Sequence, residues 1–256
     1  TPNNYITFNG ETGVWRIIGV FEVETPQSDG TYTKENKVKL VRDSIGTAAW
    51  NSANSATNYN DWTTATLMKT LNSGEYYNRT GTYASNGLTD NAKNQISSTK
   101  WYLGNAVGGR EHGNTKEIYT QERSTSVHSG NKQTWDGKVA LIYPSDYMYA
   151  SSACYNDETK KGFDYGNCQF NLTCATDYRS DTCKNSNWLL DTSNWFWTVS
   201  PSSNLSSTAI DVGISGGVLN VNTSDSSGGL RPAVYLDSSV KYVSGDGTTA
   251  NPFTIE

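Results

Sequence analysis

The sequence predicts a single α+β domain over residues 1–256, and three observations lead to this prediction. Runs of β-branched and aromatic residues lie toward both ends of the chain, which is typical of strands. Two segments between them have apolar residues at helical spacing. No unit of about 20 to 50 residues recurs, so solenoids and propellers are excluded. Strands, then helices, then short strands is the order of an α+β fold.

The first predicted strands form a hairpin and its neighbour. Residues 5–23 contain two β-rich runs separated by the turn residues Asn9 and Gly10, which predicts a hairpin. A third strand is predicted at residues 37–43, where hydrophobic and charged residues alternate.

Two helices follow in the predicted order. Asp61 is placed to cap the first, Leu67 and Leu71 lie on one face of it, and Gly74 ends it. The second covers residues 88–100, with Thr89 as its cap and Ala92 and Ile96 on one face.

The rest of the chain is predicted to be mostly strand. Residues 116–127 fit a strand on an exposed edge, and residues 138–150 fit a buried strand that Pro144 stops. Short strands are then predicted at residues 195–200, 209–212, 217–221 and 231–236, with a closing hairpin over residues 241–256.

Composition limits the partners and the compartment. The net charge of −5 and the isoelectric point near 5.1 repel phosphate, so we expect no nucleic-acid partner. No stretch approaches the roughly 20 apolar residues that a membrane span needs, so we expect no membrane insertion by this chain. Few Lys and Arg residues, many small polar residues and four clustered cysteines favour an extracellular, cell-surface location.

The cysteines predict disulfide bonds rather than a metal site. They lack the close CxxC pairs of a zinc site, and neither His112 nor His128 is near them in sequence. Three pairings are open, and any of them would staple a polar insertion at about residues 151–187 to the domain. The cysteines are Cys154, Cys168, Cys174 and Cys183.

Several motifs together resemble a family of surface domains from Gram-positive gut bacteria. The motifs are YITFNGETGVWRIIGVF, KLVRDSIG, NDWTTATLMKTLN, LIYPSDYMYA, NSNWL, FWTVSP and GLRPAVYLDSSVKYVSGDGTTANPFTI. This resemblance implies a C-type lectin-like fold of the formylglycine-generating-enzyme type, with two helices packed on antiparallel sheets. It also implies a Cys168–Cys183 disulfide, which leaves Cys154 and Cys174 as the second pair.

The same motif order is similar to the variable proteins of diversity-generating retroelements. In those proteins, adenine-directed mutagenesis of AAC or AAT codons alters a ligand-binding face and cannot produce Lys, Glu, Gln, Met or Trp. Residues 199–229, here called the display segment, contain none of these five residue types. The resemblance therefore implies a ligand-binding or adhesion domain with a variable surface. A solvated meander rich in Ser and Gly would have the same composition.

Alternation along the closing strands selects the side chains expected to face a ligand. The ligand would be a protein or glycan on another cell, phage or host surface, and the domain would belong to a pilus-like or anchored protein. The expected ligand-binding residues are Asn204, Ser206, Thr208, Asp211, Ser215, Asn220, Asn222, Ser224 and Asp225. We expect structural roles for Trp195 and Trp197 in the core and for Arg231, whose guanidinium suits backbone carbonyls of the display segment.

The sequence also bears on three other functions. A fixed structural or pilin-type module needs only a solvated face. A calcium-dependent lectin lacks its usual EPN or QPD loop with a following WND, although Asp177, Asp181 and Asp191 leave a structural calcium ion open. We expect no enzyme and no other cofactor, because no GxSxG elbow or comparable catalytic motif is present.

Overall fold

The computed structural model describes residues 2–8, 11, 13–52, 59–104, 115–151 and 187–256. They form a mixed α+β fold in which strands predominate and the helices are short, which confirms the predicted fold class at that level. The predicted disulfides fall on residues outside the described ranges and stay predictions.

The strands are β1 (Tyr5–Thr7), β2 (Trp15–Pro26), β3 (Tyr32–Arg42), β4 (Ile96–Ser97), β5 (Thr99–Tyr102), β6 (Thr134–Gly137), β7 (Val139–Leu141), β8 (Phe196–Pro201), β9 (Thr208–Val212), β10 (Val218–Asn222), β11 (Pro232–Leu236), β12 (Tyr242–Ser244) and β13 (Phe253–Ile255). The helices are α1 (Thr66–Asn72), α2 (Glu75–Asn78), α3 (Asp90–Gln95), α4 (Thr115–Glu122) and α5 (Pro144–Tyr149).

The main sheet brings the two ends of the chain together. Its order is β12-β13-β1-β2-β3-β11-β4, and β7 also pairs with β11. The antiparallel pair β1–β2 confirms the first predicted hairpin, and the antiparallel pair β12–β13 confirms the last. β13 runs parallel to β1, so the first and last strands are neighbours. Two smaller antiparallel sheets, β10-β9-β8 and β5-β6, complete the strand framework.

The first helical segment is broken into short pieces. Asp61 acts as a cap, but the element that it caps is the 3-10 turn Trp62–Thr64. α1 then buries Leu67 and Leu71 on one face, as predicted. Gly74 lies between α1 and α2, and a Cβ there would lie 2.8 Å from the Thr70 Cα, so only glycine fits without a shift.

The second predicted helix is shorter than the sequence suggested. Thr89 caps α3 as expected, because its Oγ1 accepts a hydrogen bond from the Ala92 backbone N–H at 3.2 Å. The helix ends at Gln95 rather than at residue 100. Ile96 instead pairs with Leu236 of β11, so pairing in the sheet overrides the local helical spacing.

The two predictions for residues 116–150 were wrong in part. The expected edge strand at 116–127 is the helix α4, which buries Ile118 and Glu122, four residues apart on one face. The expected strand at 138–150 ends at Leu141, and Pro144 begins α5 instead of merely stopping a strand. Proline suits the first position of a helix, where its missing N–H costs nothing.

The fold has a hydrophobic core that is rich in tryptophan. The side chains with 0% exposure include Trp15, Trp50, Trp62, Trp101 and Trp197. Their rings contact one another and neighbouring aromatic side chains, as in the Trp50–Trp62 pair with centroids 5.2 Å apart. Large aromatic side chains therefore compensate for the low apolar content of the sequence.

Candidate ligand-binding surface

The display segment belongs to the sheet β10-β9-β8, whose strand β8 is fully buried. Every residue of β8 is buried, and Thr198 of this strand donates from Oγ1 to the Ile210 carbonyl of β9 at 2.8 Å. Trp197 donates from Nε1 to the Ala48 carbonyl at 2.9 Å, and Trp50 donates to the Thr198 carbonyl at 2.9 Å. Both indole N–H groups are thus satisfied inside the core, which holds β8 in one position.

β10 is the outer strand of this sheet. Among the described strands it pairs with β9 alone, over the register Val218↔Val212 to Asn222↔Thr208. One edge of its backbone is therefore not covered by another described strand. Leu219, Asn220 and Asn222 are exposed along it. An edge strand presents unpaired backbone donors and acceptors to a partner.

The turns beside β10 are stiffened by short side-chain hydrogen bonds. The Asn222 Oδ1 accepts from the Ser224 N–H at 3.0 Å and from its hydroxyl at 2.8 Å. The Asp225 Oδ1 accepts from the Ser227 N–H at 2.9 Å and from its hydroxyl at 2.6 Å. These two bonds lower the pKa of Asp225. Three predicted contact positions, Asn222, Ser224 and Asp225, are therefore ordered before any ligand arrives, which reduces the entropy cost of binding.

The loop before β9 is held by a buried asparagine that the sequence reasoning missed. Asn60 is 0% exposed, and its Nδ2 donates to three backbone carbonyls of the loop. The acceptors are Ser202 at 2.7 Å, Leu205 at 3.0 Å and Thr208 at 2.8 Å. Asn131 donates in turn to the Asn60 Oδ1 at 2.8 Å and fixes the orientation of its amide.

Two further residues, Asn51 and Tyr147, hold the rest of the display segment in the same way, through its backbone carbonyls. Together with Asn60, they are here called the frame. The Asn51 N–H donates to the Thr223 carbonyl at 2.9 Å. The Tyr147 hydroxyl donates to the Gly216 carbonyl at 3.1 Å. Because these bonds end on backbone carbonyls, they do not depend on which side chains the display segment carries.

The expectation that Asp211 faces solvent was wrong. It is 2% exposed, and its Oδ1 has no hydrogen-bond partner. Burial raises its pKa to about 7. Its antiparallel partners are Trp197 and Leu219, so its side chain lies on the opposite face from Asn220 and Asn222. Alternation identifies outward residues only on a strand with one open face, whereas β9 is a central strand buried on both.

The other predicted contact residues differ in exposure. Ser206, Thr208 and Ser215 are half-buried. The exposed members of the predicted set are Asn204, Asn220, Asn222, Ser224 and Asp225. Alternation also failed to identify three exposed apolar side chains beside them: Leu205 at 52%, Ile214 at 50% and Leu219 at 39% exposure. Apolar side chains among adaptable polar ones are typical of protein-recognition surfaces.

The two structural tryptophans and Gly228 pack as one unit. Trp197 is fully buried, whereas Trp195 is half-buried and meets it edge to face, with ring centroids 4.7 Å apart. A Cβ on Gly228 would lie 2.3 Å from the Trp197 Nε1 and 2.7 Å from the Trp195 ring. The end of the display segment therefore needs glycine at this position.

Arg231 binds backbone carbonyls, but not those of the display segment. It is 9% exposed, and it donates to the Arg42 carbonyl at 3.3 Å and to the Leu189 carbonyl at 2.5 Å. Burial lowers its pKa to about 10. The expected acceptor segment was wrong because β11 lies next to β3, so the side chain reaches the end of β3 and the 187–194 loop.

The predicted insertion begins and ends at neighbouring points. Ser151 and Asn187 form an antiparallel bridge, and Asn187 donates from Nδ2 to the Tyr147 carbonyl at 2.7 Å. Asp177 and Asp181 lie outside the described residues. Asp191 accepts from the Ser193 N–H at 2.8 Å and forms a turn like those beside β10.

The described residues carry neither a metal-binding cluster nor a membrane-spanning helix. They contain no group of three or more His, Cys, Asp or Glu side chains placed to hold a metal ion. They also include no helix with the length and apolar character that crossing a membrane requires. Comparisons of the chain with protein-family models, with curated proteins and with solved structures found no match.

Proposed function

We propose that the chain is an extracellular ligand-binding or adhesion domain that contacts its ligand through the display segment. One observation carries this proposal: the frame holds the segment by its backbone, through Asn60, Asn51 and Tyr147. The exposed side chains of Asn204, Leu219 and Asn220 take no part in these bonds, so they can change without removing them. A surface built in this way can serve recognition without affecting the core.

The groups that the surface exposes favour a protein ligand. The edge of β10 that no described strand covers offers backbone hydrogen bonds, and Leu205, Ile214 and Leu219 offer apolar contact. On the opposite face of β10 from Leu219, Asn220 and Asn222 add amide groups that accept and donate. A glycan would use the amides but would leave the apolar side chains uncovered.

A C-type lectin-like scaffold is the finer fold proposal. The adjacency of β1 and β13, and a second small antiparallel sheet that carries the polar meander, support it. The motif resemblance of the sequence supports it independently.

Sequence diversification of the display segment is part of the same proposal. The absence of Lys, Glu, Gln, Met and Trp from residues 199–229 supports it. The hydrogen bonds that hold the segment by its backbone carbonyls support it as well. The genomic DNA around these codons tests it. We expect a neighbouring reverse-transcriptase gene and a near-copy of the region that differs only at adenines. A genome without such a copy contradicts diversification but leaves ligand binding intact.

A binding experiment tests the function itself. The fluorescently labelled domain is incubated with a panel of bacterial and animal cells, and attachment is measured by flow cytometry. The test variant combines Leu219→Ala, Asn220→Ala and Asn222→Ala, and we expect attachment to fall at least tenfold with an unchanged circular dichroism spectrum. The control replaces the exposed ion pair Lys34–Glu22 by alanines and should attach like the wild type.

Two outcomes contradict the proposal. Attachment of the triple variant at the wild-type level would mean that β10 does not contact the ligand. Failure of the wild-type domain to attach to any cell in the panel would favour a fixed structural module instead.

A further inference from the structure

Lys39 is a buried amine at the centre of the main sheet. It lies on β3 with 0% exposure, and its Nζ contacts the Oδ2 of Asp146 on α5, which is 4% exposed. Aromatic rings surround the amine, with centroids 4.4 to 5.7 Å from Nζ: Phe21, Trp101, Tyr143 and Tyr235. The amine and the carboxyl group therefore meet in a region closed to bulk water.

The hydrogen bonds of Lys39 satisfy a charged ammonium group only in part. An ammonium has three N–H donors, yet within the described part of the chain Asp146 is the single hydrogen-bond acceptor for Nζ. Burial lowers the pKa of Lys39 and thus favours the neutral amine. A neutral amine carries a lone pair and is a nucleophile toward a carboxyl carbon.

The carboxyl group of Asp146 is held in a fixed orientation. Its Oδ2 accepts the Tyr143 N–H at 2.8 Å, at the start of α5. Glu122 secures the same turn of the helix, since its two oxygens accept the Ser145 N–H at 2.8 Å and the Ser145 hydroxyl at 2.5 Å. The reacting groups are thereby held together, which is the main requirement of an intramolecular reaction.

Glu122 also supplies a second buried carboxyl group beside the pair. It is 0% exposed, and burial raises its pKa to about 7. Near neutral pH it therefore carries a proton in part of the molecules. Its charge interacts with both Lys39 and Asp146.

We propose that Lys39 and Asp146 are joined by an intramolecular amide bond. One proton passes from the Lys39 ammonium group to the Asp146 carboxylate, and the lone pair of the resulting amine attacks the Cγ of Asp146. The C–N bond forms and the C–OH bond breaks, and the hydroxyl leaves as water with one proton from the nitrogen. The ion pair and the products are both neutral overall, and the condensation needs no oxidant or other reactant.

The product suits the site better than the ion pair does. An amide nitrogen has one N–H donor instead of three, and the remaining carbonyl oxygen keeps its hydrogen bond from the Tyr143 N–H. No charge stays buried among the four rings. The bond would join β3 to α5 across 107 residues of sequence, and a cross-link over a long loop restricts the unfolded chain.

Mass spectrometry of the purified chain tests the amide directly. After reduction of all cysteines and denaturation, we expect the intact mass to lie below the mass of the sequence by one water molecule. Proteolysis should release a branched peptide in which Lys39 is bonded to Asp146. An intact mass equal to that of the sequence overturns the proposal.

Variants separate the amide from other losses of water. Lys39→Met should have the full mass of its own sequence, whether or not it folds as stably as the wild type. Lys34→Ala, a change of an exposed lysine on the same strand, should retain the loss of water. A loss of water that persists in Lys39→Met, or that maps to a single unbranched peptide, contradicts the proposal.

Discussion

The buried carboxyl group of Asp211 makes the stability of the domain depend on pH. Burial raises its pKa from 3.8 to about 7 in the folded protein. Since the folded-state pKa is the higher one, the folded protein holds this proton more tightly than the unfolded chain does. The stabilisation is complete below the unfolded-state pKa and is lost as the pH rises through about 7.

The size of the effect follows from the shift. Each pKa unit corresponds to about 1.4 kcal/mol, so the shift of Asp211 costs the folded state on the order of 4 kcal/mol at about pH 8 and about 2 kcal/mol at about pH 5. Asp211→Asn cannot ionise, and any packing cost of the amide is equal at both pH values. We therefore expect the free energy of unfolding of the variant minus that of the wild type to be about 2 kcal/mol larger at about pH 8 than at about pH 5. The variant is thus relatively more stable at the higher pH.

Urea unfolding at the two pH values measures this difference, with the same disulfide state and an unchanged m-value as conditions. The control is Asp246→Asn. Asp246 is exposed, and hydrogen bonds from Thr248 lower its pKa, so its effect should be equal at both pH values. A pH-independent difference for Asp211→Asn, or one of opposite sign, would refute the assignment of a buried, proton-binding Asp211.

Two further substitutions test the frame. Asn60→Ala removes the side-chain donor of three loop carbonyls, of which those of Leu205 and Thr208 keep a backbone donor, and should lower the free energy of unfolding by about 2 to 3 kcal/mol, with faster hydrogen exchange in residues 202–208. Unchanged exchange there would show that Asn60 does not hold the loop. Gly228→Ala forces a Cβ against Trp197 and Trp195 and should cost about 1 to 3 kcal/mol, seen as a lower Tm. A wild-type Tm would contradict this packing.

The strands of the closing region were predictable to within one or two residues. Predicted residues 209–212 and 231–236 are β9 and β11 with nearly the same bounds. Such segments combine β-branched and aromatic residues with turn residues on either side, so the local signal and the tertiary pairing agree.

Residues 116–127 were not predictable in this way. The segment has Ile118 as its main apolar anchor, and its helical state depends on burying Ile118 and Glu122 together beside α5. A buried glutamate looks like an exposed one in a sequence, because its partner Ser145 is 23 residues away. Local spacing therefore could not identify the helix.

The location of the candidate binding surface was predictable from the sequence. The buried residues that hold it in place were not. Alternation located the exposed residues Asn220 and Asn222 but failed for Asp211, since it cannot indicate that a strand is covered on both faces. Asn60 contacts carbonyls 142 to 148 residues away, and no local pattern reveals such a contact. The Asp-x-Ser and Asn-x-Ser turns, in contrast, were readable signals that the alternation argument ignored.

A combinatorial library tests most directly whether the display segment is a permissive surface that carries binding. Asn204, Leu205, Ile214, Leu219 and Asn220 are randomised together, and the variants are displayed on yeast. Each variant is scored for protease resistance and for attachment to a cell type that the wild type binds. We predict that most variants keep wild-type protease resistance and lose attachment. Loss of resistance across the library, or attachment that survives randomisation, would contradict the account.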